Sequence, residues 1–404
     1  MKTEIVVRKN ISLGTWQGLG GAITEATAYN FSKLSKTKQQ QLIDAYYGKN
    51  GLDYRWCRLS IGSNDFCLEP YQYTRKVSLR DFNILHDKRW VLRMLKKVLK
   101  EKNLQIIASP WSPPACLKTT HLQRFGGHLK PWRYRTYARY LRKWLDAYRE
   151  EGVNVRYLTP QNEPRATQVW ESCLYSYRAQ RRLAKRLATT LEGTDVELLL
   201  WDHNKKYLTE VADQLLKEPI PKVAGLCYHW YDGTHPEQMW AVHQKYPDSM
   251  LVSSEMCVGF SPYNPADWAT AANPYYYEIM SDINTGATAF LDWNMLLDWQ
   301  GGPSYCKNYV KSPVILNEAG DDFILTPIYA ALKKFNQLYP AGSQIIRCDY
   351  DSKDIAAVAR KTKSGYEVVV ANVSGVEQQV KIGKQSLSLK PLEISKLKLS
   401  CNSQ

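Results

Sequence analysis

The chain has 404 residues, a formal net charge of +15, 44% hydrophobic and 23% charged residues, more than one small core can organise and ordinary for a folded globular protein. That composition excludes a disordered or low-complexity chain, and the absence of 18 uninterrupted apolar residues excludes a membrane-spanning helix. The nine cysteines are scattered without CxxC spacing, so neither a disulfide framework nor a zinc site is indicated.

The opening MKTEIVVRKNISLGTWQ lacks a charged start followed by the apolar run of about seven or more residues of a secretory leader, which with the thiols leads to the expectation of a cytoplasmic protein. Within it, Thr3–Val7 has strand character and no helix of its own. Eight short apolar or β-branched runs then follow near residues 17–24, 53–61, 104–111, 155–162, 196–203, 223–230, 249–256 and 287–294. Helical stretches separate them at Lys36–Tyr47, Lys88–Glu101, Tyr134–Glu150, Ser176–Glu192, Lys206–Lys217, Pro236–Tyr246 and Tyr275–Asn284, and Pro327–Leu338 closes the series. Regular alternation of this kind predicts an α/β fold with parallel strands, and eight units predict closure into a (β/α)8 TIM barrel over residues 14–340. An open doubly wound sheet is the competing architecture, and no strand-flanked GxGxxG supports it. From residue 341 the texture changes to alternation (SQIIRCDY, DIAAVARK, GYEVVVANV, EQQVKIG, SLSLKPLEISKLKL). These segments predict a small side β-sandwich domain built from residues 1–13 plus 341–404.

The positive charge concentrates in Arg133–Lys143 and Arg178–Arg186, on stretches whose apolar residues step at helical spacing. A solvated outer helix face is the plain reading. Peripheral contact with an anionic surface is the alternative, while no helix-turn-helix, KH, RRM or zinc-finger pattern supports a nucleic-acid partner.

In a barrel the reacting groups gather at the C-terminal ends of the strands. Those ends are polar here: Arg58, Trp111, Asn162 with Glu163, Asp202 with His203, His229 with Tyr231, Glu255, and Trp293 with Asn294. Glu163 and Glu255 each follow an otherwise apolar strand, where a carboxylate is costly unless it is hydrogen-bonded. Pro164, directly after Glu163, predicts an extended backbone at the glutamate.

The segments GLGGAITEATAYNF, RLSIGSNDF, ASPWSPPACLKT, LTPQNEP, CYHWY, SSEMCVG and DWNMLLD together resemble glycoside hydrolase family 30, in particular its glucosylceramidase branch. The resemblance implies a retaining β-glycosidase acting on β-D-glucosides from the chain end, with Glu163 as acid/base and Glu255 as nucleophile. It also implies a substrate pocket: Arg58 orients the nucleophile, Asp65 and Trp111 bind outer ring hydroxyls, and Asn162 faces the 2-hydroxyl. His229 and Tyr231 flank the nucleophile, Trp293 walls the sugar site, Asn308 lies near its rim, and Trp170 with Cys173 lies toward the aglycone. β-1,6-Glucanase, β-xylosidase and β-fucosidase remain alternatives of the same family, and a non-catalytic carbohydrate-binding protein an alternative of another class. Double displacement requires no metal or organic cofactor. It predicts an ionised Glu255 beside Arg58 and a Glu163 kept protonated by burial and by repulsion from Glu255. The glycoside partner carries a lipid, oligosaccharide or aryl aglycone, and the oligomeric state is left open.

Overall fold

The computed structural model describes residues 2–400, so Met1 and 401–404 of the expected sandwich, Cys401 included, lie outside the described residues. The chain begins with a long strand, β1 (Lys2–Thr15), and then enters eight parallel strands: β2 (Leu19–Ala22), β3 (Trp56–Ile61), β4 (Gln105–Pro110), β5 (Tyr157–Leu158), β6 (Glu197–Asn204), β7 (Val223–His229), β8 (Met250–Glu255) and β9 (Ala289–Asn294). These close in sequence order, β9 pairing back to β2. Outside them lie α1 (Glu25–Lys33), α2 (Lys36–Tyr47), α3 (Val91–Glu101), α4 (Tyr134–Glu150), α5 (Tyr177–Thr190), α6 (Leu208–Leu215), α7 (Pro236–Lys245), α8 (Pro265–Thr270), α9 (Ala272–Ile283) and α10 (Pro327–Leu338). The expected barrel is therefore present, and so is a separate, mostly antiparallel sheet.

All the barrel strands except β6 are shorter than their apolar runs suggest. The fourth barrel strand keeps ladder pairing only at Tyr157 and Leu158, after which the chain leaves the sheet five residues before Glu163. Unforeseen elements include α1, whose Thr24 cap accepts from the Thr27 amide, and a small sheet of β10 (Leu296–Leu297), β11 (Val314–Leu316) and β12 (Phe323–Leu325).

The second sheet contains β13 (Gln344–Asp349), β14 (Ile355–Thr362), β15 (Gly365–Asn372), β16 (Gln378–Ile382), β17 (Gln385–Leu389) and β18 (Ile394–Ser400), in the order β17-β16-β1-β13-β14-β15-β18. The link is β1, parallel to β16 through Lys2–Ile5 and antiparallel to β13 from Val6 to Thr15, with two register breaks between. Such breaks bend a strand. The two ends of the sheet accordingly share one apolar cluster, including Ile5, Ile355, Val368, Val380 and Leu389. Asn284, at the end of α9, ties this layer to the barrel by donating through Nδ2 to the Cys348 carbonyl at 2.7 Å.

Barrel interiors fill in layers because alternate residues of each strand point inward. The lower layer is apolar: Trp56, Ile107, Tyr157, Leu199, Cys227, Val252 and Leu291 form one buried cluster, with Trp56 and Tyr157 stacked 5.4 Å apart. Two residues further along the strands the layer is polar: Arg58, Ser109, Thr159, His229 and Ser254 are all buried. On β6 the alternation would bring Trp201 inward. A register break there, with positive φ at Trp201 (77°) and Asp202 (53°), instead turns Trp201 toward the helices and Asp202 into the barrel.

Candidate active site

Arg58 is the hub of the polar layer. It is fully buried, and its guanidinium bonds Glu255 Oε2 through Nη1, and Asn162 Oδ1 (2.9 Å) and both Asp202 oxygens (3.0 and 2.9 Å) through Nη2. Burial opposes its charge, but the Asp202 and Glu255 carboxylates outweigh that and raise its pKa further. Asp202 also accepts from Thr159 Oγ1 (2.8 Å), Ser254 Oγ (2.7 Å) and His229 Nε2 (3.1 Å). Burial alone would neutralise this carboxyl, yet Arg58 and His229 hold it well below the usual carboxylate range.

Glu255 ends β8 and is bracketed on both oxygens, Arg58 on Oε2 and the Tyr231 hydroxyl donating to Oε1 at 2.9 Å. Tyr231 also lies 3.2 Å from Cys257 Sγ. On the opposite side, Glu163 Oε1 stands 3.2 Å from His229 Nδ1 and 3.6 Å from His203 Nδ1, the latter a charge contact beyond hydrogen-bond range. His229 Nδ1 is also 4.0 Å from Glu255 Oε1, so both glutamates reach one imidazole nitrogen, Glu163 from the turn beyond β5 and Glu255 from the end of β8. This proximity is compatible with the carboxylate spacing of about 5–5.5 Å for direct attack on an anomeric carbon.

Two expectations about Glu163 are corrected. Its backbone is left-handed, φ 45°, rather than extended. The Glu163 amide donates to the Asp202 carbonyl (2.8 Å) and the Asn162 amide to the Pro110 carbonyl (2.8 Å), anchoring this turn on two neighbouring strand ends against its conformational cost. Nor is its carboxyl raised. Burial pushes it up, but His203 and His229 outweigh burial and hold it below the usual range. The proton resides on His229, where burial opposes charge but Glu255, Asp202 and Glu163 lift the imidazole to about 9.

Above this layer is a cavity of about 690 Å³ lined by, among others, Asp65, Trp111, Asn162, Glu163, Trp170, Tyr231, Glu255, Trp293 and Asn308. Trp111 and Trp293 stack 5.2 Å apart, with Arg58 4.9 Å from the ring of Trp111. Asp65 accepts from Asn308 Nδ2 at 2.8 Å, and burial, then the Glu255 charge, pushes its carboxyl up to about 8. The structure thus brings together the residues expected at the site with one exception. Cys173, expected beside the aglycone, is fully buried in the main core instead.

Sequence alone puts Asp202 and His203 at a strand end and gives them no role. Glu171 does not stand out in the sequence: it is a buried carboxylate accepting from Ser63 Oγ (2.6 Å) and Tyr305 OH (2.8 Å), and it fastens the Trp170 loop to the loop carrying Asn308. Its only signal was a carboxylate next to an aromatic in RATQVWESC. Among the described residues no group of three or more His, Cys, Asp or Glu side chains could hold a metal ion.

A model of the glycosyl hydrolase family 30 TIM-barrel domain matches residues 16–339. The chain belongs to glycoside hydrolase family 30. It is a retaining glycoside hydrolase, as the enzymes of that family are. Lysosomal acid glucosylceramidase of Mus musculus is 31% identical over 381 residues, 88% of this chain and 74% of that protein. SrfJ from Salmonella typhimurium superposes with a TM-score of 0.89 at 27% identity, covering 98% of this chain and 92% of that one. The endo-beta1,6-glucanase BT3312, with a TM-score of 0.82 at 23% identity and the same coverage, shares the fold.

Proposed function

We propose that this family 30 enzyme is an exo-acting β-D-glucosidase of glucosylceramidase type, with Glu255 as nucleophile and Glu163 as acid/base. The observation that carries the reading is the unequal surroundings of the two glutamates. Glu255 is clamped on both oxygens by Arg58 and Tyr231, which fixes the direction from which its carboxylate would attack. Glu163 instead hydrogen-bonds the His229 imidazole and lies 3.6 Å from that of His203, a setting in which a proton can be held and exchanged with His229.

One proton is shared by Glu163 and His229 over neutral pH. The acid form is the tautomer with that proton on Glu163, which protonates the leaving oxygen while Glu255 attacks the anomeric carbon. Esterification removes the Glu255 charge, and Glu163, again a carboxylate beside His229, accepts a proton from the water that releases the sugar.

The sugar subsite suits an unbranched hexopyranose: Trp111 and Trp293 offer aromatic surface, and Asp65 with Asn308 offers polar groups for outer hydroxyls. The likeness to a glucosylceramidase supports glucose as the sugar and a lipid as one class of aglycone. A panel of nitrophenyl glycosides alongside glucosylceramide and a β-1,6-glucan tests this. Turnover of the glucan in preference to the β-glucosides would reject the exo-glucosidase reading.

A further inference from the structure

The register break on β6 that turns Asp202 into the barrel leaves the next residue, His203, in the wall of the sugar cavity beside Glu163. The imidazole is held from behind: the Trp201 ring packs 5.3 Å from it, and that indole is pinned by Nε1 donating to the Asn204 carbonyl at 2.8 Å. Neither ring nitrogen of His203 makes a hydrogen bond among the described residues. Nδ1 is buried, and it stands 3.6 Å from Glu163 Oε1, an oxygen already 3.2 Å from His229 Nδ1. A buried ring nitrogen left unpaired is costly. A shift of a few tenths of an ångström brings this one into hydrogen-bond range of the carboxylate.

A carboxylate only accepts, so the neutral tautomer of His203 that suits this geometry carries its proton on Nδ1. Nε2 is then an acceptor. With Nδ1 buried, the 14% of the side chain that stays exposed belongs to the edge bearing Nε2, and that edge is part of the cavity wall. Asn204, in the same wall, supplies the complement. Its Oδ1 accepts from the Tyr231 amide at 3.1 Å, which fixes Nδ2 as a donor with no hydrogen bond of its own among the described residues. One hydroxyl can therefore give its proton to His203 and accept one from Asn204. That hydroxyl does not belong to the sugar ring, whose polar contacts are Asn162, Asp65 and Asn308. His203 adjoins Glu163, the group that protonates the leaving oxygen, so the hydroxyl it meets belongs to the aglycone.

We propose that His203 binds the leaving group: Nε2 accepts a hydrogen bond from a second O–H or N–H donor of the aglycone, close to the glycosidic oxygen, while Nδ1–H steadies Glu163. The enzyme accordingly selects a polyol, sugar or amino-alcohol aglycone over a plain alkyl one. This rests on Glu163 as the acid/base and not on glucose as the sugar. The test compares 2-hydroxyethyl and n-propyl β-glycosides, matched in size, of whichever sugar the enzyme turns over. His203→Leu should lose kcat/KM on the hydroxyethyl glycoside on the order of 5- to 10-fold more than on the propyl one, the value of a single hydrogen bond. Loss of the Glu163 contact falls on both substrates and cancels in the ratio. His203→Gln, whose Oε1 is an acceptor near the position of Nε2, should recover part of the hydroxyethyl preference, and the shorter His203→Asn should not. Equal losses on the two substrates, or full recovery of the preference by His203→Asn, would overturn the proposal. Should urea midpoints show that no variant folds, capture of the wild-type glycosyl-enzyme by ethylene glycol against 1-propanol decides: the glycol product is expected in excess, and equal capture refutes. Glu163→Gln losing activity equally across leaving groups would remove the acid/base reading and this inference with it. Unequal loss there, with equal losses of His203→Leu on the substrate pair, overturns this inference alone.

Discussion

Replacing Asp202 by Asn keeps the size of the side chain and removes one charge from the centre of the polar layer. In the wild type that fully buried carboxylate accepts from Arg58, His229, Thr159 and Ser254. Removing one partner of a buried ion pair costs about 3–5 kcal/mol, and the new amide NH2 must face donors, so stability to urea should fall by roughly that amount. The catalytic signature is sharper. His229 stands at about 9 through Glu255, Asp202 and Glu163, and loss of Asp202 moves it toward the ordinary imidazole value of about 6.5. At pH 8 a group with a pKa of about 9 is about 90% protonated and one at about 6.5 only about 3%. In that limit the gap in kcat/KM between wild type and variant widens by about 30-fold from pH 5 to pH 8. The assay is kcat/KM against pH on an aryl glucoside with a poor leaving group, which needs the acid. A folded variant whose alkaline limb stays where the wild type has it would refute the proton-sharing argument.

Further outcomes follow from the same geometry. Glu255→Gly should abolish hydrolysis, and added azide should restore turnover as a glycosyl azide of inverted configuration; no azide product would remove Glu255 as nucleophile. Glu163→Gln should lose activity on poor leaving groups far more than on dinitrophenyl glucosides, and equal loss across leaving groups would count against the acid role. The stability contributed by the Asp202–His229 pair has a definite pH window. Asp202, depressed on folding, contributes above its unfolded value of about 3.9 and loses that contribution as pH falls through its lower folded pKa. His229, raised on folding, contributes fully below about 6.5 and loses this as pH rises through about 9; comparing urea midpoints of wild type and Asp202→Asn across pH should show their difference shrinking at both ends. Lys205→Met strands Glu278 and Asp282, which the buried ammonium contacts, and should destabilise by about 3–5 kcal/mol at neutral pH. Because acid protonates the stranded pair, the loss should diminish toward low pH, and a pH-independent loss would mean that packing, not charge, is responsible.

Local sequence determined much of this protein. Eight apolar runs with helices between them require a parallel sheet covered outside, and closure leaves no unpaired edge, so the barrel followed from periodicity alone. Glu163 and Glu255 were legible because a carboxylate after an apolar strand needs a compensating partner. Their electrostatic states were not legible, since a pKa depends on charges brought close by folding: His203 and His229, 40 and 66 residues beyond Glu163 in the chain, are what reverse the effect of burial on it. Asp202 shows the same limit. Strict alternation puts Trp201 inside the barrel, and only a bulge, set by how β6 registers against β7, exchanges that indole for the carboxylate on which Arg58 and His229 converge. The sequence by itself decided which residue types line the strand ends, because short-range patterning fixes faces. Tertiary structure decided which of them share a proton and which share a charge, because those energies depend on separations of a few ångströms between residues far apart in the chain.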